Sequence, residues 1–298
     1  MKAVSEIVKE FLYSQDVNEL SRNEYSVVVH QFVKWITMKG LSFWDLRKKD
    51  ILAYKSDMIS SKKSVHTIGL YLTVVRKLFG YLYENDFREE NIALGVKSPK
   101  KDRLFRKKYL PVDKVKELLS VINTDTLQGK RDFAIISLML RTGIRRVELC
   151  RMKVDDISPE IVSLQRKGKI DKEFKLGIKD KVLQVINDYL VCRNDLTDES
   201  PVFVAHKKGF SGKALSEQSV SRIVKHYLGK IAMTGKYYTC HSLRHTAAIL
   251  ALKNGASIYD VQQMLGHASI ETTRIYLRAI DEEKRIDNVA IRTLDELF

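Results

Sequence analysis

Apolar residues recur at helical spacing through almost the whole chain, and this leaves little room for any fold that is not mainly helical. Tyr25, Val28, Val29, Phe32 and Ile36 form one stripe, and Val65, Ile68, Leu72, Val75, Phe79 and Leu82 form another. Steps of three and four put each set on one face of a helix, where burial against other helices is the stable outcome. Four prolines in 298 residues interrupt helices rarely. The first hundred residues therefore read as a compact bundle of about four helices, with connections at 41–45 and 60–64.

Further on, helical spacing predicts helices over about 112–122, 129–142, 146–154, 180–191, 217–231, 242–254, 258–265 and 270–280. A short β region interrupts them: 160–164 is strand-like, 166–171 is a turn and 172–176 returns. The fold class that follows is mainly α, with a helical N-terminal domain over 1–100 and a mostly helical second domain over 111–298 that carries a small antiparallel sheet. Between them lies the run KDRLFRKKYL, 101–110, rich in basic residues and bounded by Pro99 and Pro111. It reads as an exposed interdomain linker. A solvated charge run is the plain interpretation; Arg103, Arg106, Lys107 and Lys108 as a basic strap along phosphates is the functional one.

The formal net charge is +15. A balance this basic favours a polyanionic partner, nucleic acid before anionic membrane. Cys150, Cys192 and Cys240 are few, odd in number and far apart. They offer no CxxC pair and no metal-ligand spacing, which suits a reducing cytoplasm. No apolar run approaches the roughly 18 residues of a membrane span, and the opening MKAVSEIVKEFLYS is not expected to be a secretory signal. No GxxxxGK[ST] nucleotide-binding loop occurs, so no nucleotide cofactor is expected, and without metal-ligand spacing no metal is expected either.

Phosphodiester cleavage by a protein nucleophile needs cationic donors on the non-bridging oxygens, a nucleophile in line with the leaving oxygen and an acid to protonate that oxygen. Arginine suits the first task because its planar fork matches two oxygens and keeps its charge. The second half of the chain supplies such groups in order. TGIRRVEL carries Arg145 and Arg146 at a helix start, and the turn RKGK carries Lys167 and Lys169. HSLRHT sets His241 and Arg244 three apart, on one helical face. LGH with His267 precedes Tyr276, in IETTRIYLR, by nine residues. Each piece alone is weak; the ordered series is what carries weight.

The series resembles the tyrosine recombinase (phage integrase) family, most specifically in HSLRHTAA and LGHASIETTRIYLR, and the resemblance runs strongly over about 110–282. The N-terminal bundle is similar to the family's core-binding (SAM-like) domain in size and class only. The resemblance implies that Arg145 and Arg244 clamp the scissile phosphate and that Lys167, at the hairpin turn, protonates the leaving 5′ oxygen. It implies that His241 assists proton transfer at the phosphate or the nucleophile, that His267 donates to a phosphate oxygen, and that Tyr276 attacks to leave a 3′-phosphotyrosine. It further implies double-stranded DNA recombination sites as substrate, Holliday-junction intermediates and a homotetramer in the synapse, with scope for an accessory DNA-bending protein or a partner recombinase. A free tyrosine has a pKa near 10; two arginines, a lysine and histidines around it are expected to favour the phenolate.

Two departures from the family pattern leave choices open. Arg146 and Val147 stand where the family has an apolar and then a small residue, so Arg146 is either a DNA-backbone contact or the true clamp; Arg145 keeps the RxxEL spacing to Glu148 and Leu149. Lys175 replaces a frequent proline in the hairpin, and Lys169 competes with Lys167. His245 reads as a structural or supporting residue, whereas His30, His66, His206 and His226 carry no motif. Lys207-Lys208-Gly209 is either a solvated turn or a second DNA-backbone loop. The tail, with Ala290, Ile291, Leu294, Leu297 and Phe298 at helical spacing, either packs on its own domain or is donated to a neighbouring protomer. Competing readings are a type IB topoisomerase, a non-catalytic DNA-binding factor and a metal-dependent nuclease, the last without a clustered acidic site. Two domains suit a simple Xer-like recombinase, an invertase or a small mobile-element integrase.

Overall fold

In a computed structural model of the chain, residues 2–99, 108–166, 171–206, 212–286 and 289–297 are described. The chain divides into two compact units, Met1–Arg103 and Leu104–Phe298.

The first unit is built from α1 (Val4–Ser14), α2 (Glu19–Met38), α3 (Lys48–Ser60) and α4 (Val65–Glu84). Asn18 and Ser64 start α2 and α4 by accepting from the backbone N–H of Ser21 and Thr67, which satisfies donors a helix start leaves open. The sequence stripes meet inside: Val28, Val29, Phe32 and Ile36 of α2 pack with Leu72, Val75, Phe79 and Leu82 of α4 in one core. Phe32 is its hub, edge-on to Tyr54 at 4.9 Å and to Phe79 at 6.1 Å. Tyr25 packs at the margin of this core, and Val65, the first residue after its cap, stays exposed.

The second unit contains α5 (Val112–Ser120), α6 (Leu127–Thr142), α7 (Arg146–Cys150), the hairpin β1 (Ile161–Leu164) and β2 (Phe174–Gly177), α8 (Asp180–Leu190), α9 (Glu217–Lys230), α10 (Cys240–Lys253), α11 (Ile258–Leu265), α12 (Ile270–Ile286) and α13 (Val289–Asp295). Helix α6 runs through the centre, with Ala134, Ile135, Ile136, Leu138 and Met139 all buried; a helix apolar on more than one face belongs inside. The strands pair antiparallel, Val162 against Leu176 and Leu164 against Phe174, and their inward residues join the same core. A second cluster, including Ala248, Ile249, Val261, Leu265 and Tyr276, joins α10, α11 and α12.

The mainly helical class with a small antiparallel sheet is as expected, and most differences are at element ends. Helix α7 stops at Cys150 rather than continuing to 154. The backbone beyond is taken by distant partners: Val202 N–H donates to Met152 at 2.9 Å and Val154 N–H to Ser200 at 3.0 Å. Local periodicity carries no trace of such pairing. Strand β2 starts two residues late, at Phe174, because its partner strand ends opposite it, at Leu164. Helix α12 runs six residues past its expected end, to Ile286. No described helix is long and apolar enough to cross a membrane.

Candidate active site

Two helix ends create the site. Gly143 closes α6 at φ 63° and Gly266 closes α11 at φ 59°, left-handed conformations that glycine adopts without a Cβ penalty. A Cβ at Gly143 would lie 2.5 Å from Leu265 Cδ2, and one at Gly266 would strike the Arg166 guanidinium. The absent side chains thus let the two helix ends, and an arginine beside them, approach closely. Each end turns carbonyl oxygens outward, where the helix dipole adds partial negative charge that attracts cations.

Arg244, in the first turns of α10, fills that position. Its Nη1 donates to Gly143 O and its Nη2 to Leu265 O at 2.8 Å, so one buried guanidinium ties the ends of α6 and α11 together. Arg166, two residues beyond the end of β1, donates to Gly266 O and lies 4.2 Å above the Phe174 ring. Arg145 comes in from the start of α7. The Glu148 carboxylate accepts from both its Nη1 and its backbone N–H, each at 2.9 Å. Glu148 is 2 % exposed, so it acts as a buried brace for a guanidinium whose side chain keeps 28 % exposure.

Arg146 has other partners. It binds Glu217 at 2.7 Å through Nη2 and contacts Ser221, both on α9. Arg145, not Arg146, therefore joins Arg244. An open cleft of about 450 Å³ includes Arg145, Arg146, Glu217, His241 and Arg244 in its lining. His241 is exposed there, at the start of α10.

His267 follows Gly266 and is half-buried. Arg244 Nη2 lies 3.1 Å from its Nε2, and Thr273 Oγ1 lies 2.9 Å from its Nδ1. Guanidinium only donates, so Nε2 accepts and the ring proton sits on Nδ1, pointed at Thr273. Burial first, and then the charges of Arg244, Arg145 and Arg166, push its pKa down to about 4. The ring is neutral near pH 7.

Tyr276, on α12, is 2 % exposed. Its ring stacks with that of His267 at 6.4 Å, and its hydroxyl lies 2.9 Å from Nδ1 of His245. Here the structure departs from the expected phenolate. Burial raises the pKa of Tyr276, and Arg244 and Arg145 only partly offset it. Desolvation of the charged form outweighs the nearby cations, so the hydroxyl keeps its proton in the free protein. Burial also draws the pKa of Arg244 down to about 10, which leaves it charged.

Arg145, Arg244, His267 and Tyr276 are thus brought into one neighbourhood, with His241 on its open side. Lys167 and Lys169 lie outside the described residues, as do Arg103, Arg106, Lys107 and the Lys207-Lys208-Gly209 loop; Lys108 is described and exposed. Among the described residues no cluster of His, Cys, Asp and Glu is arranged to hold a metal. Sequence reasoning passed over Thr273 and Arg166 and gave His245 only a supporting part. His245 is one helical turn beyond His241, and Thr273 is three residues before Tyr276, so helical spacing from the motif residues was the available signal.

The family model of the phage integrase family matches residues 108–283. The chain belongs to this family and is a tyrosine site-specific recombinase. It is 31 % identical over 289 residues to the tyrosine recombinase XerD of Listeria innocua, covering 92 % of this chain and 94 % of that protein. It is 32 % identical to the tyrosine recombinase XerA of Pyrococcus furiosus, covering 92 % and 90 % of the two chains. The fold is similar to that of the XerH site-specific recombinase bound to palindromic difH substrate in a post-cleavage complex, with a TM-score of 0.76, 18 % identity and coverage of 96 % of this chain and 84 % of that one.

Proposed function

We propose that this recombinase cleaves and rejoins double-stranded DNA at specific sites through Tyr276, with Arg145 and Arg244 holding the scissile phosphate. The observation that carries the reading is the convergence of two guanidinium groups on one buried tyrosine, since both lower the cost of its ionised form. Arg145 lines the open cleft and is braced by Glu148; Arg244 is fixed by two helix-end carbonyls. Donors fixed in advance need no reorganisation when charge builds on phosphorus. A phosphate beside His267 supplies negative charge that opposes the arginines and raises the ring's proton affinity, and the ring can then donate to a phosphate oxygen.

In this reading Tyr276 attacks phosphorus and forms a 3′-phosphotyrosine. Lys167 protonates the departing 5′ oxygen, and His241 contacts the phosphate from the open side of the cleft. The ester conserves the bond energy, so a 5′-hydroxyl from another strand reverses the step without a nucleotide cofactor. Residues 1–100 and the basic segment with Arg103, Arg106, Lys107 and Lys108 bind the duplex, and Arg146 adds a backbone contact when DNA competes for it with Glu217. Four protomers assemble on two sites, each offering its C-terminal helix to a neighbour, in the cytoplasm on chromosomal or mobile-element DNA. A nicked suicide substrate tests the chemistry. Wild type accumulates a covalent complex and Tyr276→Phe binds the DNA without forming one; covalent complex from Tyr276→Phe overturns the assignment.

A further inference from the structure

We infer that His245 is the catalytic group that takes the phenol proton from Tyr276 as that oxygen attacks. The inference rests on the reading of Tyr276 as nucleophile and assigns its proton to His245, leaving His241 to the phosphate. Tyr276 needs one, because burial keeps its hydroxyl protonated despite the adjacent arginines.

Three histidines are at hand and their geometry separates them. His267 stacks on the tyrosine ring, but its Nε2 accepts from Arg244 and its Nδ1 proton faces Thr273, so both nitrogens are engaged away from the phenol. His241 is exposed in the cleft, where a phosphate would meet it. His245 follows one helical turn deeper, its ring 4.9 Å from that of His241 at 75°. It is 2 % exposed, as is Tyr276, and its Nδ1 lies 2.9 Å from the tyrosine hydroxyl. With the phenol donating, the ring proton of His245 is on Nε2 and the Nδ1 lone pair points along the O–H bond. That distance is within the reach a general base requires, and burial removes competing water.

The proton balance closes within the cycle. The Oη–H bond breaks as Nδ1–H forms on His245, and the Oη–P bond forms as the bond from phosphorus to the 5′ oxygen breaks. The 5′ oxygen leaves as a hydroxyl with the proton supplied by Lys167. Rejoining runs the same transfers backward: the incoming 5′-hydroxyl gives up its proton, and His245 returns one to Tyr276.

Single-turnover cleavage of the nicked substrate tests this with His245→Asn, whose side-chain oxygen replaces Nδ1 as a hydrogen-bond acceptor but is a negligible base. Covalent-complex formation should slow by about 10²–10⁴, the usual worth of general base catalysis, with DNA affinity unchanged. Installing 3,5-difluorotyrosine at 276, a more acidic phenol, should restore the His245→Asn rate by about tenfold or more while changing the wild-type rate far less. His245→Asn at the wild-type rate, or failure of the acidic phenol to rescue it, overturns the inference and leaves Tyr276 as nucleophile. Absence of a covalent complex with wild type would instead remove the parent reading. A measurement on the unaltered chain guards against a folding defect in the variant. With a 5′-sulfur leaving group, which needs no proton, cleavage should slow in heavy water, and equal rates in light and heavy water overturn the inference.

Discussion

Arg244 donates through Nη2 to Nε2 of His267 at 3.1 Å, and the contact fixes both the charge and the tautomer of that histidine. Burial first, and then the guanidinium that faces Nε2, disfavours the imidazolium, and the pKa falls to about 4. In the unfolded chain an ordinary histidine takes its proton near 6.5. The folded value is depressed, so this contribution to stability is fully present above about 6.5 and is lost as pH falls from there through about 4. NMR titration of the His267 imidazole in the free protein should show a midpoint near 4, and the midpoint should rise in a complex with DNA that Tyr276→Phe cannot cleave. An ordinary midpoint in the free protein would contradict the contact.

The two arginines of the site differ in what they hold, and substitution should separate them. Lysine cannot reproduce a planar fork. Arg244→Lys cannot span the carbonyls of Gly143 and Leu265 together, and loss of the bond to Gly143 costs about 1–3 kcal/mol. Arg145→Lys keeps a cation beside Glu148 and should cost far less stability. Both should lose about 10³-fold or more in cleavage, the order that a phosphate-clamping arginine supplies in phosphoryl transfer. Urea unfolding beside suicide-substrate kinetics checks both claims; equal stability of the two variants would refute the helix-tying role of Arg244.

Gly143→Ala places a Cβ 2.5 Å from a Leu265 methyl in a left-handed conformation. Strain of about 1–2 kcal/mol follows from the conformation alone, and Leu265 must shift as well, carrying the carbonyl that holds Arg244. The variant should therefore unfold at lower urea and cleave more slowly. Gly266→Ala meets the tip of a flexible arginine instead, so it should disturb Arg166 more than the core. Reversal of that order in urea midpoints would count against this account of the two helix ends.

Helical stripes and capping residues made most elements legible, because a buried helix face must be apolar and a helix start must satisfy its own N–H groups. Helix α11 fell at its expected bounds for that reason, with Ser257 capping one end and Gly266 the other. The end of α7 was not legible, since it depends on pairing with residues 200–202 far along the chain. At the site, the motif residues gave membership but not roles. Arg145 and Arg146 are adjacent letters, and only the pairing of one with Glu148 and of the other with Glu217 separates them. The charge state of Tyr276 ran against expectation because burial, which a motif does not encode, outweighs the cations that it does.

Binding should depend steeply on salt. Each phosphate neutralised releases counterions and adds a slope of about −0.9 to log K against log salt. Replacing Arg103, Arg106, Lys107 and Lys108 with glutamine should make the slope shallower by about 0.9 for each phosphate that is no longer neutralised, with the same weakening on specific and random DNA. Salt titrations of both DNAs measure it. An unchanged slope would leave the segment as a solvated charge run.

The C-terminal segment is the remaining test of assembly. Helix α13 has seven residues, well under the roughly 12–15 at which an isolated helix becomes even marginal in water, so it needs a surface to hold it. Ile286, Ile291, Leu294 and Leu297 are all more than half exposed. Burying one such side chain is worth about 1.5–3 kcal/mol, enough in combination to join protomers but not to fold the parent unit. Deleting 287–298 should therefore leave single-site affinity intact and abolish the proposed assembly on paired sites. Ile291→Asp with Leu294→Asp should do the same without shortening the chain. Gel shifts on one site and sedimentation of the paired-site complex read the two effects separately, and a truncated chain that assembles and recombines at the wild-type rate would show that the segment serves its own domain alone.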